Sequence, residues 1–270
     1  MSSWKKNFFA VLLIAVTLYF ARQYLLREGF EINSAWIPDD FCTYMAASDT
    51  RQFLLNDPDG YTTSMSNWDL VARHTTTELN YRKAAAAAAA SFDADQQIRL
   101  RDAARRADAY IQTTLRTLPL SHASKYGFDD NVEVEKLLNI KWVFALTRGA
   151  TYENGLPHTR ANVIFLSSLV DESPERLTRT LVHEKIHLYQ RMYPEHMMRV
   201  IEAHGWRRWK NRQGVPRIRA NPDLDPYIYI DPKTESPMLA VYTSDTPESV
   251  DDVHVEYGEH PYETMAYALS

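Results

Sequence analysis

At 270 residues, 45% of them hydrophobic, the chain is long enough to bury a real core, in one large domain or two small ones. A net charge of −5 argues against nucleic acid as the main partner. The single cysteine, Cys42, excludes an intramolecular disulfide, is compatible with either redox compartment, and is expected to be a small buried hydrophobe.

Residues 1–27 stand apart. Lys5 and Lys6 precede an uncharged run from Asn7 to Ala21; Arg22 interrupts it, and Tyr24, Leu25 and Leu26 resume it. The run is short for a bilayer span of about twenty residues and becomes adequate if Arg22 reaches the headgroups. No small-x-small cleavage site follows, so the segment reads as an uncleaved, single-pass membrane anchor. The flanking charges are nearly balanced and lean only slightly towards an N-terminus inside.

Residues 28–139 read as a helical region. The seven alanines at 84–90 are strong helix formers and carry no chemistry. Leu100, Ala103, Ala104, Ala107, Ile111, Leu115 and Leu118 recur at helical spacing and predict an amphipathic helix ending at Pro119.

The pattern changes near residue 140. Lys141 to Thr147 and Asn162 to Ser167 are rich in β-formers and bounded by Gly149, Asn154, Gly155 and Pro157. They predict two strands joined as a hairpin with a long loop. Downstream, a helix is expected from Glu195 to about Asn211, with Arg199, Arg207, Arg208, Lys210 and Arg212 on its solvated face and Trp206 and Trp209 packing. A proline-rich stretch follows, in which Tyr227 to Ile230 and Met238 to Thr243 could form short strands.

Between these parts lies His183-Glu184-Lys185-Ile186-His187, the H-E-x-x-H pattern. Ser173 as N-cap, Pro174 at the first helical position and Pro194 as terminator predict a helix of about twenty residues around it. Histidines four residues apart project from one helical face and can reach one metal ion, usually zinc. Glu184 can then meet a metal-bound water as general base.

A hydrolytic zinc site needs a third protein ligand. The metzincin continuation is excluded, because Gln190 and Tyr193 stand where glycine and histidine are required, and no aspzincin string follows. The C-terminus offers Glu259-His260-Pro261-Tyr262-Glu263, with Pro261 starting a second helix and Glu263 in its first turn. Ala266 would let that helix approach the first closely. This arrangement resembles the gluzincins, which implies His183, His187 and Glu263 as metal ligands. Two departures stand beside it: Tyr267 occupies the place where many gluzincins carry an acid, and Glu259, His260 and His254 are rival ligands.

The strings E-N-G-L-P-H-T-R at 153–160, N-V-I-F-L-S at 162–167, L-V-H-E-K-I-H-L-Y-Q-R at 181–191 and H-P-Y-E at 260–263 together resemble a family of zinc metallopeptidases encoded by giant DNA viruses. The resemblance covers roughly residues 140–270 and implies a membrane or virion association. Zincin-like enzymes keep a small sheet beside the motif helix, whose edge strand holds the substrate extended. Residues 160–167 are the expected edge.

The expected architecture is thus α+β: an anchor at 1–27, a helical region at 28–139 and a zincin-like metallopeptidase domain at 140–270. The expected activity is zinc-dependent hydrolysis of peptide bonds in a peptide or protein substrate, with the transition-state donor among Tyr242, Tyr257, Tyr262, Tyr267 and His158. Two alternatives accompany it: a structural zinc in a non-catalytic membrane protein, and a zinc amidase acting on a non-peptide amide.

Overall fold

The computed structural model of the chain describes residues 41–115, 125–128, 131–168, 173–213 and 215–270. The expected anchor at 1–27, the helix end at Leu118 and Pro119, and Asp171 and Glu172 lie outside them. Among the described residues no helix is long and apolar enough to cross a membrane. Residues 40–270 form one compact unit.

Its elements run β1 (Cys42–Tyr44), α1 (Ala47–Asn56), α2 (Asn67–Ala72), α3 (Glu78–Ala87) and β2 (Ala89–Ala90). Then come α4 (Ala94–Tyr110), α5 (Asn131–Leu138), β3 (Trp142–Thr147), β4 (His158–Arg160) and β5 (Val163–Ser167). The remainder is α6 (Pro174–Met192), α7 (Pro194–Ala203), β6 (Arg207–Asn211), β7 (Tyr227–Ile230), β8 (Pro237–Tyr242), β9 (Val253–Glu256) and α8 (Pro261–Leu269). The fold is mixed α+β with two small sheets.

In the first sheet the strand order is β1-β3-β5-β4, with β2 also on β3. The two strands expected to form a hairpin, β3 and β5, pair in parallel instead, with Phe144 opposite Ile164. The loop between them contains β4, which returns antiparallel to β5 and forms the edge. The segment expected at the edge is therefore central: Ile164 and Phe165 are fully buried, as parallel strands covered on both faces must be.

The boundary expected at 139/140 is crossed by this sheet. β1 pairs in parallel with β3, and β2 pairs antiparallel with it. The alanine tract does not stay helical throughout: α3 ends at Ala87, and Ala89 and Ala90 pair with Thr147 and Leu146. Sheet pairing outweighs intrinsic propensity there. The amphipathic helix forms as α4 and closes in one π-helical stretch, Ile111–Leu115. Its buried alanines Ala103, Ala104 and Ala107 let α4 pack closely on α6.

The helix expected from Glu195 to Asn211 is cut in two. Gly205 takes a left-handed φ of 71° after α7, and the chain continues as the exposed edge strand β6. The arginines expected on a helical face, Arg207 and Arg208, stand on that strand, and Trp209 is half exposed under Lys210 rather than packed. Trp206 does pack against the core. β6 opens the second sheet, ordered β6-β7-β8-β9 and antiparallel throughout. Cys42 is buried as expected.

Candidate metal centre

Local signals build α6. The Ser173 hydroxyl accepts from the Arg176 N–H, and Pro174 fits the first turn, where no intrahelical donor is needed. Leu181, Ile186 and Leu188 are fully buried and hold the helix against the core. His187 is buried as well, and His183 is partly open to a cavity. α8 starts at Pro261, with the His260 Nδ1 capping the Tyr262 N–H, and packs along α6 through the buried Ala266.

That packing brings three donors together. His183 Nε2 and His187 Nε2 are 3.0 Å apart, and Glu263 Oε2 lies 3.4 Å and 3.5 Å from them. Donors sharing one tetrahedral ion at bond lengths near 2 Å stand about 3.3 Å apart, so the spacing suits a single metal. The chemistry of each donor agrees. Glu263 Oε2 is buried without a hydrogen bond, a costly state unless a cation meets it. Its other oxygen, Oε1, accepts from Asn221 Nδ2 at 2.8 Å, which turns Oε2 towards the imidazoles.

Gln190 orients His187. The amide nitrogen of Gln190 donates to the Tyr262 carbonyl at 2.9 Å, so its Oε1 must face His187 and accept from Nδ1–H at 2.8 Å. Nε2 is then the nitrogen presented to Glu263, an outer-shell arrangement common around metal-binding histidines. Without a cation, burial lowers the pKa of His187, but Asp223 and Glu263 overcome this and raise it to about 9. Burial also pushes Glu263 up, yet the two imidazoles hold it well below the usual carboxylate range. Metal binding at this trio would displace a proton.

Glu184 lies beside the trio, buried, with Oε2 lacking any partner. Burial first, then the charges of Asp223 and Glu263, raise its pKa well above the ordinary carboxylate value. It borders the same cavity as His183 and Glu263, a space of about 520 Å³ also lined by His158, Val255 and Tyr267.

The rival ligands are placed elsewhere. His260 caps α8 and faces Asp225 at 3.3 Å, while His254 is exposed and pairs with Glu256 at 2.9 Å. Glu259 borders the cavity but is not part of the donor cluster. Among the expected transition-state donors, Tyr242 is engaged with Arg73 and Asp69, and Tyr257 is exposed. The Tyr262 ring stacks edge-on with His260. Tyr267 and His158 both line the cavity, with the Tyr267 ring 4.6 Å from that of His183. His158 Nδ1–H donates to the Leu156 carbonyl at 2.9 Å, burial lowers its pKa, and its Nε2 is buried without a hydrogen bond.

The edge strand β4 is filled from within the chain. The Thr159 N–H donates to Asp223 Oδ1 at 2.6 Å, and the Arg191 guanidinium donates to the Ala161 carbonyl at 2.9 Å and to Thr159 Oγ1 at 3.1 Å. Sequence reasoning missed Gln190, Asn221 and Asp223 as contributors. Gln190, three residues past His187, was discoverable from helical spacing alone. For Asn221 and Asp223 the sequence carries only a turn signal.

Comparisons of the chain with protein-family models, with curated proteins and with solved structures find no match.

Proposed function

We propose that the chain is a single-zinc hydrolase of the zincin-like, gluzincin-like kind, with His183, His187 and Glu263 as ligands and Glu184 as general base. The convergence of these three donors at one point, beside an unpartnered buried carboxylate and an accessible cavity, supports it most. Bound zinc would supply Lewis-acid activation of a water and polarise the scissile carbonyl. Glu184 Oε2 would take the proton of the attacking water and pass it to the leaving amine. Tyr267, whose hydroxyl stays protonated because burial and the charge of Glu263 raise its pKa, is the better placed donor for the developing oxyanion. Gln190 and Asn221 hold their donors in register, so little reorganisation is needed during reaction.

A cavity bordered by the donor cluster favours this reading over a purely structural zinc, whose coordination would be closed by a fourth side chain. The substrate bond in this reading is a peptide bond. The apolar run of segment 1–27 supports a membrane anchor, and the resemblance to the giant-virus metallopeptidases supports a virion or host-membrane setting. The occupied edge of β4 favours one second reading, an amidase acting on a compact non-peptide amide.

The deciding experiment combines metal analysis with a fluorogenic peptide assay of the full chain. The expected result is about one zinc per chain and peptide cleavage. Glu184→Gln should retain the metal and lose activity by about a hundredfold or more, and His187→Ala should lose both. A chain that binds no zinc, or a Gln variant of full activity, overturns the assignment.

A further inference from the structure

Resting on the proposed hydrolase reading, we infer that β9 is the substrate-binding edge and that an extended peptide adds to it through the backbone of Val253 and Val255. β9 is the last strand of its sheet, paired on one side only among the described residues. Its register with β8 sets Ala240 opposite Val255, Val241 opposite His254 and Tyr242 opposite Val253. The phase of the ladder follows from Thr243, whose N–H donates to the Asp252 carbonyl at 3.0 Å. Hydrogen-bonded pairs alternate along an antiparallel ladder, so His254 and Glu256 bond to β8 while Val253 and Val255 turn N–H and C=O outward. The opposite flank of β8 agrees: Tyr242 N–H donates to the Arg217 carbonyl at 2.8 Å, and the Ala240 carbonyl accepts from Arg219 N–H at 3.0 Å.

The same residues wall the cavity of the metal centre. Ala240, Val253 and Val255 border it, whereas Val241, His254 and Glu256 do not. The inner face of this sheet thus lies along the site, with two outward N–H and two outward C=O groups at its rim. Such an edge is a template for another extended strand. β4 offers no comparable template, because the Thr159 N–H donates to Asp223 and the Thr159 carbonyl accepts from Arg191. An apolar inner face made of valines and an alanine also suits side chains of an extended peptide better than a charged small amide.

Two measurements test this. Val255→Pro removes one outward N–H without touching a ladder bond, a substitution that edge strands tolerate. It should leave zinc content and unfolding temperature intact and lower kcat/KM for fluorogenic decapeptides about fivefold, the worth of one hydrogen bond. Independently, zinc-loaded Glu184→Gln protein mixed with the best-cleaved decapeptide should show slowed amide hydrogen exchange at Val253 and Val255. Wild-type-like cleavage by Val255→Pro, or unchanged exchange at both amides, overturns the role of β9 and leaves the hydrolase reading standing. Zinc-loaded wild type that cleaves no peptide overturns both.

Discussion

Gln190 and His187 are joined by a 2.8 Å hydrogen bond that decides which imidazole nitrogen faces Glu263. Because Gln190 is itself anchored to the Tyr262 carbonyl, the bond links the start of α8 to the histidine pair on α6. Gln190→Leu should therefore preserve the fold and weaken zinc binding. The expected rise in zinc Kd is about 10- to 100-fold, measured by competition with a chelator. An unchanged Kd would show that His187 is oriented by packing alone.

Asn221 has the corresponding role for Glu263. Its amide donates to Oε1 at 2.8 Å and leaves Oε2 facing the two imidazoles. Asn221→Ala is expected to weaken zinc binding by about tenfold and to change thermal stability little in the metal-free protein. Equal losses with and without zinc would instead mark Asn221 as a purely structural contact.

Ala266 is fully buried where α8 meets α6. Replacing it with leucine inserts three carbons into a closed interface and should cost about 1–3 kcal/mol. Because the same shift moves Glu263 away from the histidines, zinc affinity should fall with stability. Chemical denaturation and zinc titration of Ala266→Leu together check this.

Buried charge elsewhere should govern acid stability. Burial raises the pKa of Glu153, but the Arg73 guanidinium, 2.6 Å away, more than reverses this and holds it at about 2. A carboxylate depressed from its ordinary 4.5 to about 2 contributes roughly 3 kcal/mol at neutral pH, to order of magnitude. Its folded pKa lies below the unfolded one, so the contribution is present above pH 4.5 and is lost as the pH falls towards 2. Urea midpoints measured across that window should drop steeply in the wild type. Glu153→Gln should be less stable at neutral pH and show a shallower acid limb.

Lys185, inside the motif, is wholly buried and has a structural part. Its ammonium donates to Asp108 Oδ1 at 2.6 Å and sits 4.2 Å over the Trp142 ring. Asp108→Ala strands that cation and should cost about 3–5 kcal/mol, whereas Lys185→Met, which removes the charge with the stem retained, should cost much less. Calorimetry of the two variants distinguishes them; equal costs would refute the asymmetry.

The sequence alone determined the features that depend on neighbours a few residues away. Ser173, Pro174 and Pro194 delimit α6 by satisfying or refusing backbone hydrogen bonds, and the four-residue spacing of His183 and His187 puts both rings on one face. Pro261 likewise started α8 with Glu263 in its first turn. Tertiary structure decided everything that joins distant segments. It paired β3 with β5 in parallel, because the short strand β4 returns within their connection and takes the edge. It converted the end of the alanine tract to strand and stopped α7 at Gly205, since pairing partners and a left-handed turn outweigh propensity. It also brought Glu263, and not Glu259, His260 or His254, up to the histidine pair and set Gln190 and Asn221 beside them, because only tertiary packing settles which distant donors converge.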